Sequence, residues 1–447
     1  MKFGTDGVRG VANAELTAEF ALRLGRAAAI VLLDADDRAS GRGSVVIGGD
    51  TRESTPMLDA ALAAGFAAEG VEVIRLGVVP TPMVAFEAQR RGAVGAMVSA
   101  SHNAFADNGI KLFAAGGAKL SDQVEQRIES QLEVLMPPTG APGTISSDIA
   151  AHTPYVDHVV GVLEGRRLDG LKVVIDAANG AAHQVAAEAL TAAGADVVLV
   201  AAEPDGRNIN AGCGATAPSF VAEAVRDHDA HLGVALDGDA DRLIAVDHTG
   251  SVVDGDHIIA IAAVDLRDRG ELRNDTVVVT VMTNLGFRLA MQAADIEVVE
   301  TAVGDRYVLE ALAAGGHSLG GEQSGHVIFA DHATTGDGLL TALVLLDAVK
   351  RSGRPLAELA SAAMTSLPQV LVNVRVPVRV PDFGSEVSAR LATDVAAAER
   401  ALGAAGRVLV RPSGTEPLIR VMVEAPTAAQ AQATADELAA AAHRHFG

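Results

Sequence analysis

Tryptophan is absent from this 447-residue sequence, and aromatic residues make up only 3% of it. Hydrophobic residues nevertheless make up 49%, so the cores must be built mainly from aliphatic side chains and alanine. The only cysteine is Cys213, which excludes an intrachain disulfide and favours the reducing conditions of the cytoplasm. The chain is too long for one ordinary core, and its length predicts about three domains.

Long hydrophobic runs and an excess of basic residues are also missing. No uninterrupted apolar run reaches the roughly 18 residues that a membrane-spanning helix needs, and the opening MKFGTDGVRG has no apolar signal core. Lys and Arg number 35 against 57 Asp and Glu, and the resulting net charge of −22 argues against a nucleic-acid partner. An anionic small substrate stays open, because basic residues gathered in one cleft can oppose the net charge.

Strand-like apolar runs alternate with segments of helical spacing over most of the chain, which predicts α/β domains with right-handed crossovers. In three places a valine-rich strand is followed by a small-residue loop and a helix, so we interpret this part as three similar α/β units. From about Pro368 an alternating strand pattern and an alanine-rich helix predict a smaller antiparallel α+β domain. The predicted domains are residues 1–150, 151–252, 253–367 and 368–447.

The stretch SASHNAFADNG, residues 99–109, follows an apolar run that predicts a buried strand. Because such sheets bind ligands beyond the carboxyl ends of their strands, we expect the Ser101 hydroxyl at the exposed lip of a sheet, as a nucleophile or phosphate carrier. A helix-capping or turn serine is the alternative. A Ser-His-Asp hydrolase is disfavoured, because the G-x-S-x-G elbow is absent around Ser101.

The stretch DGDADR, residues 237–242, places carboxylates at Asp237, Asp239 and Asp241 directly after a predicted strand. Three like charges so close are costly without a cation, and all-oxygen ligation favours Mg²⁺ or Ca²⁺ over Zn²⁺. Arg242 could reach an anion held by that cation. A polar turn is the alternative, whereas an EF-hand calcium loop is excluded because its glutamate is missing.

Two further glycine-rich stretches and two basic residues complete the candidate set. GEQSGH, residues 321–326, offers Glu322 and Ser324 to sugar hydroxyls or an amine, and His326 for proton transfer. RPSGTEP, residues 411–417, combines glycine, hydroxyls and arginine in a pattern suited to phosphate. Its candidates, with a second arginine nearby, are Arg411, Ser413, Gly414, Thr415 and Arg420. Residues 99–109 are predicted to form a loop, here called the serine loop. Lys111 follows this loop, and Arg9 lies in the opening FGTDGVRG. Taken singly, each stretch is also typical of a tight turn or a surface charge.

Together these motifs resemble the α-D-phosphohexomutase superfamily. FGTDGVRG, SASHN with DNGIK, DGDADR, GGEQSGH and RPSGTEP occur in that family's order and span nearly the whole chain. The resemblance implies three similar α/β domains with mixed sheets and a smaller C-terminal α+β domain around a central cleft. It implies a cytoplasmic intramolecular phosphotransferase of the isomerase class, with a small phosphosugar substrate and no nucleic-acid or membrane partner. A homodimer is one option for an oligomeric state that the sequence leaves open.

The resemblance also implies roles for individual residues. Ser101 would be phosphorylated and, with Asp237, Asp239 and Asp241, would bind one Mg²⁺ per subunit. The phosphoryl group would pass through a sugar bisphosphate, which serves as intermediate or activator. The remaining positions form a catalytic set, Arg9, Lys111 and His326, and a substrate-binding set, Arg242, Glu322, Ser324, Arg411, Ser413, Gly414, Thr415 and Arg420. Lys111 and His326 are both candidates for the general acid or base.

The resemblance bears on the substrate as well. The opening FGTDGVRG and Gln323 favour the branch that interconverts glucosamine 6-phosphate and glucosamine 1-phosphate, which feeds amino-sugar nucleotide and peptidoglycan precursor synthesis. The glucose and mannose phosphate branch is the alternative, and a non-catalytic phosphosugar-binding protein is a third hypothesis. Ala104 and Phe105 stand where the family usually has proline and then an aromatic residue. Losing that proline should loosen the serine loop without removing a reacting group.

Overall fold

The computed structural model describes residues 2–4, 6–39, 43–376, 383–412 and 417–447. The chain divides into two compact units. The first unit comprises residues 1–282 and 295–363, and the second comprises residues 283–294 and 364–447. Among the described helices, none combines the length and the apolar character needed to cross a bilayer.

The first part of unit 1 is a six-stranded sheet flanked by helices. Its strands are β1 (Val8–Val11), β2 (Ser44–Gly49), β3 (Glu72–Val78), β4 (Val94–Val98), β5 (Asp107–Phe113) and β6 (Ile145–Ser147). Its helices are α1 (Ala18–Leu32), α2 (Ala35–Ala39), α3 (Thr55–Ala68), α4 (Thr81–Arg91) and α5 (Asp122–Glu133). The strand order is β1-β5-β4-β2-β3-β6, with parallel pairs from β4 to β6 and antiparallel pairs on both sides of β5.

Aliphatic strand residues and alanine-rich helices form the core of this sheet, as the composition predicts. Helices α1 and α3 pack closely because glycines stand at their crossing. A Cβ at Gly25 would lie 2.5 Å from the Leu62 carbonyl oxygen, and one at Gly65 would lie 2.2 Å from that of Leu22. A larger residue at either glycine would therefore force the two helices apart.

The second and third parts of unit 1 repeat the α/β arrangement. The second contains α6 (His152–Gly161), β7 (Lys172–Asp176), α7 (Val185–Ala192), β8 (Asp196–Val200), α8 (Pro218–Asp227), β9 (Leu232–Leu236), β10 (Leu243–Asp247) and β11 (Val252–Val253). The third contains α9 (Gly255–Asp268), β12 (Thr276–Thr280), β13 (Glu297–Thr301), α11 (Asp305–Gly315), β14 (Leu319–Gly321), β15 (Val327–Phe329), α12 (Gly338–Ser352) and α13 (Leu356–Ala363). The sheet orders are β11-β10-β9-β7-β8 and β13-β12-β14-β15, and both sheets mix parallel and antiparallel pairs.

Unit 2 combines the C-terminal elements with one helix from earlier in the chain. Its elements are α10 (Leu285–Ala293), β16 (Gln369–Arg375), α14 (Phe383–Leu402), β17 (Arg407–Pro412), β18 (Leu418–Glu424) and α15 (Ala428–Phe446), and its sheet is antiparallel in the order β16-β18-β17. The Leu285 N–H donates to Glu424 Oε2 at 2.9 Å, and the Asn284 side chain bonds both backbone groups of Leu367. These bonds attach α10 to the C-terminal elements.

The predicted fold class, three α/β domains with mixed sheets and a smaller C-terminal domain, is confirmed. The domain boundaries stay a prediction, and α10, which falls inside the predicted domain 253–367, lies in unit 2. The stretch predicted as a loop to Gly109 is shorter, because β5 already begins at Asp107. Three of the motifs follow strand ends as expected, after β4, β9 and β14.

Candidate active site

Ser101 follows β4 by three residues and is buried. The expectation of an exposed hydroxyl is wrong, because the loop after β9 covers it: Ser101 Oγ donates to Asp237 Oδ2 at 2.5 Å. His102 Nδ1 lies 3.3 Å from the same Oγ. The backbone of Ser101 has a φ of 52°, in the left-handed region that L-residues adopt at a cost.

The carboxylates of Asp237, Asp239 and Asp241 converge in a buried cluster, with one oxygen from each within 4.8 Å of the others. Burial raises the pKa of Asp237 well above its ordinary value, and the charges of Asp241 and Asp239 raise it further. Oδ1 of Asp239 and Oδ1 of Asp241 are buried without a hydrogen-bond partner among the described residues. Unsatisfied buried oxygens are costly, and a hard cation would satisfy them. The three aspartates could therefore hold a metal ion.

Lys111 extends from β5 into this cluster. Its Nζ lies 2.8 Å from Asp239 Oδ2, 3.0 Å from Asp241 Oδ2 and 2.8 Å from Asp6 Oδ2. Burial lowers the pKa of Lys111, but the charges of Asp239, Asp241 and Asp6 outweigh burial and raise it well above its ordinary value. Lys111 is therefore held protonated against Asp239 and Asp241 of the carboxylate cluster.

Arg9 reaches the same group of charges through Asp6. Arg9 Nη2 lies 2.5 Å from Asp6 Oδ2, the oxygen that Lys111 also contacts. Burial raises the pKa of Asp6, but Lys111, Lys119 and Arg9 outweigh it and hold that pKa well below its ordinary value. Asp6, in the opening FGTDGVRG, thus provides a carboxylate that contacts Arg9, Lys111 and Lys119.

His326 follows the loop after β14 and is buried between two carboxylates. Its Nδ1 lies 3.6 Å from Asp241 Oδ1, and its Nε2 lies 3.4 Å from Asp305 Oδ2. Burial lowers the pKa of His326, but Asp241 and Asp305 raise it above its ordinary value. The Gly336 N–H donates to Nε2 at 3.1 Å, which leaves the proton of the neutral ring on Nδ1.

The predicted substrate residues of unit 1 are Arg242, Glu322 and Ser324, and they differ in how exposed they are to solvent. Arg242 Nε lies 3.8 Å from Asp241 Oδ1. Burial lowers the pKa of Arg242, but Asp241, Asp237 and Glu322 outweigh burial and raise it. Glu322 Oε1 accepts a hydrogen bond from the Gly304 N–H at 3.1 Å, whereas Ser324 is exposed.

In unit 2, Arg411 and Arg420 are cross-strand partners on β17 and β18. Burial lowers the pKa of Arg411, and the charge of Arg420 lowers it further. Like charges directly opposite each other destabilise a sheet, whereas an anion bound by both would remove the repulsion. Ser413, Gly414 and Thr415 lie outside the described residues.

Several residues of the site were not predicted from the sequence, among them Asp6, Lys119, Thr81 and Asp305. Lys119 Nζ donates to Asp6 Oδ1 at 2.7 Å and to Asp305. Thr81 holds Asp239 twice, through Oγ1 to Oδ2 at 2.6 Å and through its N–H to the Asp239 carbonyl at 2.9 Å. Asp305 stands after β13 at the start of α11, so the rule that sites follow strand ends could have found it. Thr81 comes three residues after β3 and begins α4, so the same rule could have found it, whereas Lys119 carries no such signal.

Models of one family match this sequence over nearly its whole length. The matches are "Phosphoglucomutase/phosphomannomutase, alpha/beta/alpha domain I" at residues 1–136, domain II at 153–250, domain III at 254–367 and the C-terminal domain at 371–441.

Individual proteins give the same result. The phosphoglucosamine mutase of Streptomyces griseus is 55% identical over 448 residues, covering 98% of this chain and 97% of that protein. The phosphoglucosamine mutase of Frankia alni is 56% identical over 449 residues, with the same coverages. A crystal structure of a phosphoglucomutase/phosphomannomutase family protein from Burkholderia thailandensis superposes with a TM-score of 0.81 at 27% identity, covering 99% of this chain and 97% of that one. The chain therefore belongs to the phosphoglucomutase/phosphomannomutase family of phosphohexomutases.

Proposed function

We propose that this chain interconverts glucosamine 6-phosphate and glucosamine 1-phosphate, and so supplies amino-sugar nucleotide and peptidoglycan precursor synthesis. The hydrogen bond from Ser101 Oγ to Asp237, inside a buried cluster of three carboxylates and a protonated lysine, is the observation that carries the phosphoryl-transfer chemistry. The glucosamine substrate is supported by relatives of 55% and 56% identity that are named phosphoglucosamine mutase.

Ser101 is the proposed phosphoryl carrier. In the phosphorylated enzyme, the bond from phosphorus to Ser101 Oγ breaks while a sugar hydroxyl forms a new bond to phosphorus and gives up its proton. The resulting sugar bisphosphate reorients within the site and returns its other phosphoryl group to Ser101 Oγ. Lys111 and His326 are the groups proposed to take up the hydroxyl proton and to supply one to the departing Ser101 Oγ. Lys111, which is held protonated, suits the donating role. Arg9 adds positive charge near the transferring group.

Mg²⁺ is the proposed metal, with one ion per subunit. Its ligands would be Asp237, Asp239, Asp241 and an oxygen of phosphorylated Ser101. Oδ1 of Asp239, which is buried without a hydrogen-bond partner among the described residues, supports this choice. When bound, the ion neutralises charge on the phosphoryl oxygens, which is a large part of catalysis in such transfers.

Substrate binding is proposed to divide between the sugar and its non-reacting phosphate. Arg242, Glu322 and Ser324 would contact the sugar or its reacting phosphate. The opposed arginines of β17 and β18 support a phosphate site in unit 2. That site would consist of Arg411, Ser413, Gly414, Thr415 and Arg420. A cytoplasmic location and a homodimer are proposed with it, and light scattering of the purified protein tests the second.

The test combines intact mass with a mutase assay. Purified protein, primed with a hexose 1,6-bisphosphate and supplied with Mg²⁺, should carry one phosphoryl group that peptide mapping places on Ser101. Ser101→Ala should carry none and should be inactive, whereas Ser130→Ala, at an exposed serine of α5, should match the wild type. Glucosamine 6-phosphate should be turned over with a higher kcat/KM than glucose 6-phosphate or mannose 6-phosphate.

Each result has a distinct meaning. Full activity in Ser101→Ala would rule out the phosphoserine mechanism. A preference for glucose 6-phosphate or mannose 6-phosphate would keep the chemistry and transfer the chain to the other branch of the family. A fully phosphorylated wild type without activity on any of the three sugars would point to a phosphosugar-binding protein.

A further inference from the structure

We propose that Arg52 and Asn210 are positioning residues that hold the phosphoryl-carrying Ser101 from two sides. Both donate hydrogen bonds to the same two backbone carbonyl oxygens, those of Ser101 and Asn103. We call these two donors and two acceptors the carbonyl clamp. The inference rests on the proposed function, because it assigns the clamp to the loop that carries the phosphoryl group.

Arg52 forms the side of the clamp that comes from the first sheet. It follows β2, and its side chain is buried. Its Nη2 donates to the carbonyl oxygens of Ser101 and Asn103, both at 2.9 Å, and its Nη1 donates to that of Ala104. One planar guanidinium thus fixes three carbonyl groups of the serine loop.

Asp50 fixes the guanidinium and also the other end of the Ser101 backbone. Its Oδ2 accepts from Arg52 Nε at 2.8 Å and from Ser99 Oγ at 2.6 Å. Ser99 Oγ in turn accepts from the Ser101 N–H at 2.9 Å. Both backbone polar groups of Ser101 are therefore engaged, whereas its Oγ is engaged by Asp237 of the candidate metal cluster.

Asn210 forms the opposite side of the clamp, from the polypeptide between β8 and α8. Its Nδ2 donates to the Ser101 carbonyl at 2.9 Å and to the Asn103 carbonyl at 3.2 Å. Gly238 permits this approach, because a Cβ there would lie 2.6 Å from the Ser101 carbonyl oxygen and 2.8 Å from Asn210 Nδ2. A side chain at position 238 would therefore push the clamp open.

The clamp has two physical consequences for the reaction. It stabilises the left-handed backbone of Ser101, a conformation that L-residues adopt only when the surroundings impose it. It also binds only backbone oxygens of the loop, so the same contacts can persist whether Oγ carries hydrogen or a phosphoryl group. Arg52 further restrains the backbone at Ala104, the position where the resemblance leads one to expect a stiffening proline.

The best probe is Asn210→Asp, because aspartate keeps the shape of asparagine and tolerates the left-handed φ of 58° at this position, but cannot donate. Asn210→Ala tests the same clamp by removing the amide group. Arg52→Lys tests it by replacing the planar guanidinium with an ammonium group that cannot reach all three carbonyl groups in the same way. Glu203→Ala, an exposed residue of the same segment, is the matched control. The readouts are kcat and KM for glucosamine 6-phosphate, melting temperature, and hydrogen exchange of the peptide covering residues 99–109.

We expect Asn210→Asp to lower kcat at least about tenfold while KM changes less than about threefold, because small displacements of a reacting group reduce rate more than binding. Exchange in the 99–109 peptide should be faster in all three clamp variants and unchanged in Glu203→Ala. Wild-type kcat in Asn210→Asp, or an unchanged exchange rate, would overturn the proposal. An inactive wild type would refute the proposed function. The clamp would still be tested in that case, because hydrogen exchange of the 99–109 peptide does not depend on catalysis.

Discussion

The ammonium group of Lys119 donates a hydrogen bond to the carboxylate of Asp305, 186 residues further along the chain. Lys119 follows β5 of the first sheet, and Asp305 begins α11 of the third. Lys119 also bonds Asp6, which contacts Lys111, and Asp305 faces His326. The pair therefore joins the surroundings of the two acid–base candidates.

Breaking this pair should lower stability and activity together. Lys119→Met removes the cation shared by the buried carboxylate of Asp305 and the half-buried carboxylate of Asp6, and removing one partner of a buried ion pair typically costs about 3–5 kcal/mol. We expect a lower melting temperature and a lower kcat. Adding Asp305→Asn should recover part of the lost stability, because it removes one of the stranded charges. Melting curves and mutase assays of the two single variants and the double variant measure this coupling.

Lys350→Met, at an exposed lysine of α12, is the control and should melt like the wild type. Strictly additive losses in the double variant would show that Lys119 and Asp305 act independently.

Magnesium should stabilise the folded protein through the three aspartates. A ligand that binds only the folded state at about 100 times its Kd contributes about 2.7 kcal/mol, so the melting temperature of the wild type should rise with Mg²⁺. Asp239→Asn should lose most of that rise, whereas Asp227→Asn, at an exposed carboxylate of α8, should keep it. An equal rise in all three proteins would place the ion elsewhere. EDTA should abolish mutase activity, and added Mg²⁺ should restore it.

The arginine pair of β17 and β18 should act on substrate binding. Arg411→Gln removes one of two opposed cations, so we expect a KM for glucosamine 6-phosphate raised about tenfold or more, as for loss of a charged hydrogen bond worth about 1.5–3 kcal/mol. Arg390→Gln, at an exposed arginine of α14, should leave KM unchanged. An unaltered KM in Arg411→Gln would exclude Arg411 from the phosphate site.

Asp337 predicts a specific dependence of stability on pH. It caps α12 and accepts the Tyr155 hydroxyl, and burial raises its pKa to about 6 from an ordinary 3.8. Between about pH 4 and pH 6 the folded state therefore keeps a proton that the unfolded state has released. This group thus lowers stability as pH rises through that window, by on the order of 1–3 kcal/mol in total.

Asp337→Asn removes this ionisation and keeps a good helix cap. The melting temperature of the variant minus that of the wild type should therefore become more positive between pH 5 and pH 7. Asp157→Asn, at an exposed residue of α6, should show no such trend. A difference that does not change with pH would contradict the assigned burial effect.

The strand ends and the residues that follow them could be read from the sequence. Ser101 and Asp237 come shortly after valine-rich or aliphatic strands, and within each sheet such strand ends are where ligands bind. The burial of Ser101 could not be read in this way, because the covering loop belongs to a different sheet. A local sequence pattern predicts where one strand ends, but it does not show which loop of another sheet packs against that end.

The supporting residues were missed for a related reason. Lys119, Thr81 and Asn210 act through partners 186, 158 and 109 residues away. Lys119 and Asn210 lie in connecting segments that no spacing rule marks, and Thr81 follows the end of β3 without a recognisable motif around it. Only the packing of three sheets brings them to the site.

The position of α10 has a consequence for how this protein can be rearranged. Unit 2 is built from two separate pieces of chain, so the backbone passes between the units three times, near residues 282, 294 and 363. A fragment that starts at residue 368 would lack α10 and the bond from Leu285 to Glu424. Exchange of this unit between relatives by a single crossover would therefore separate α10 from the elements it contacts. A functional chimera should require both segments to come from the same parent.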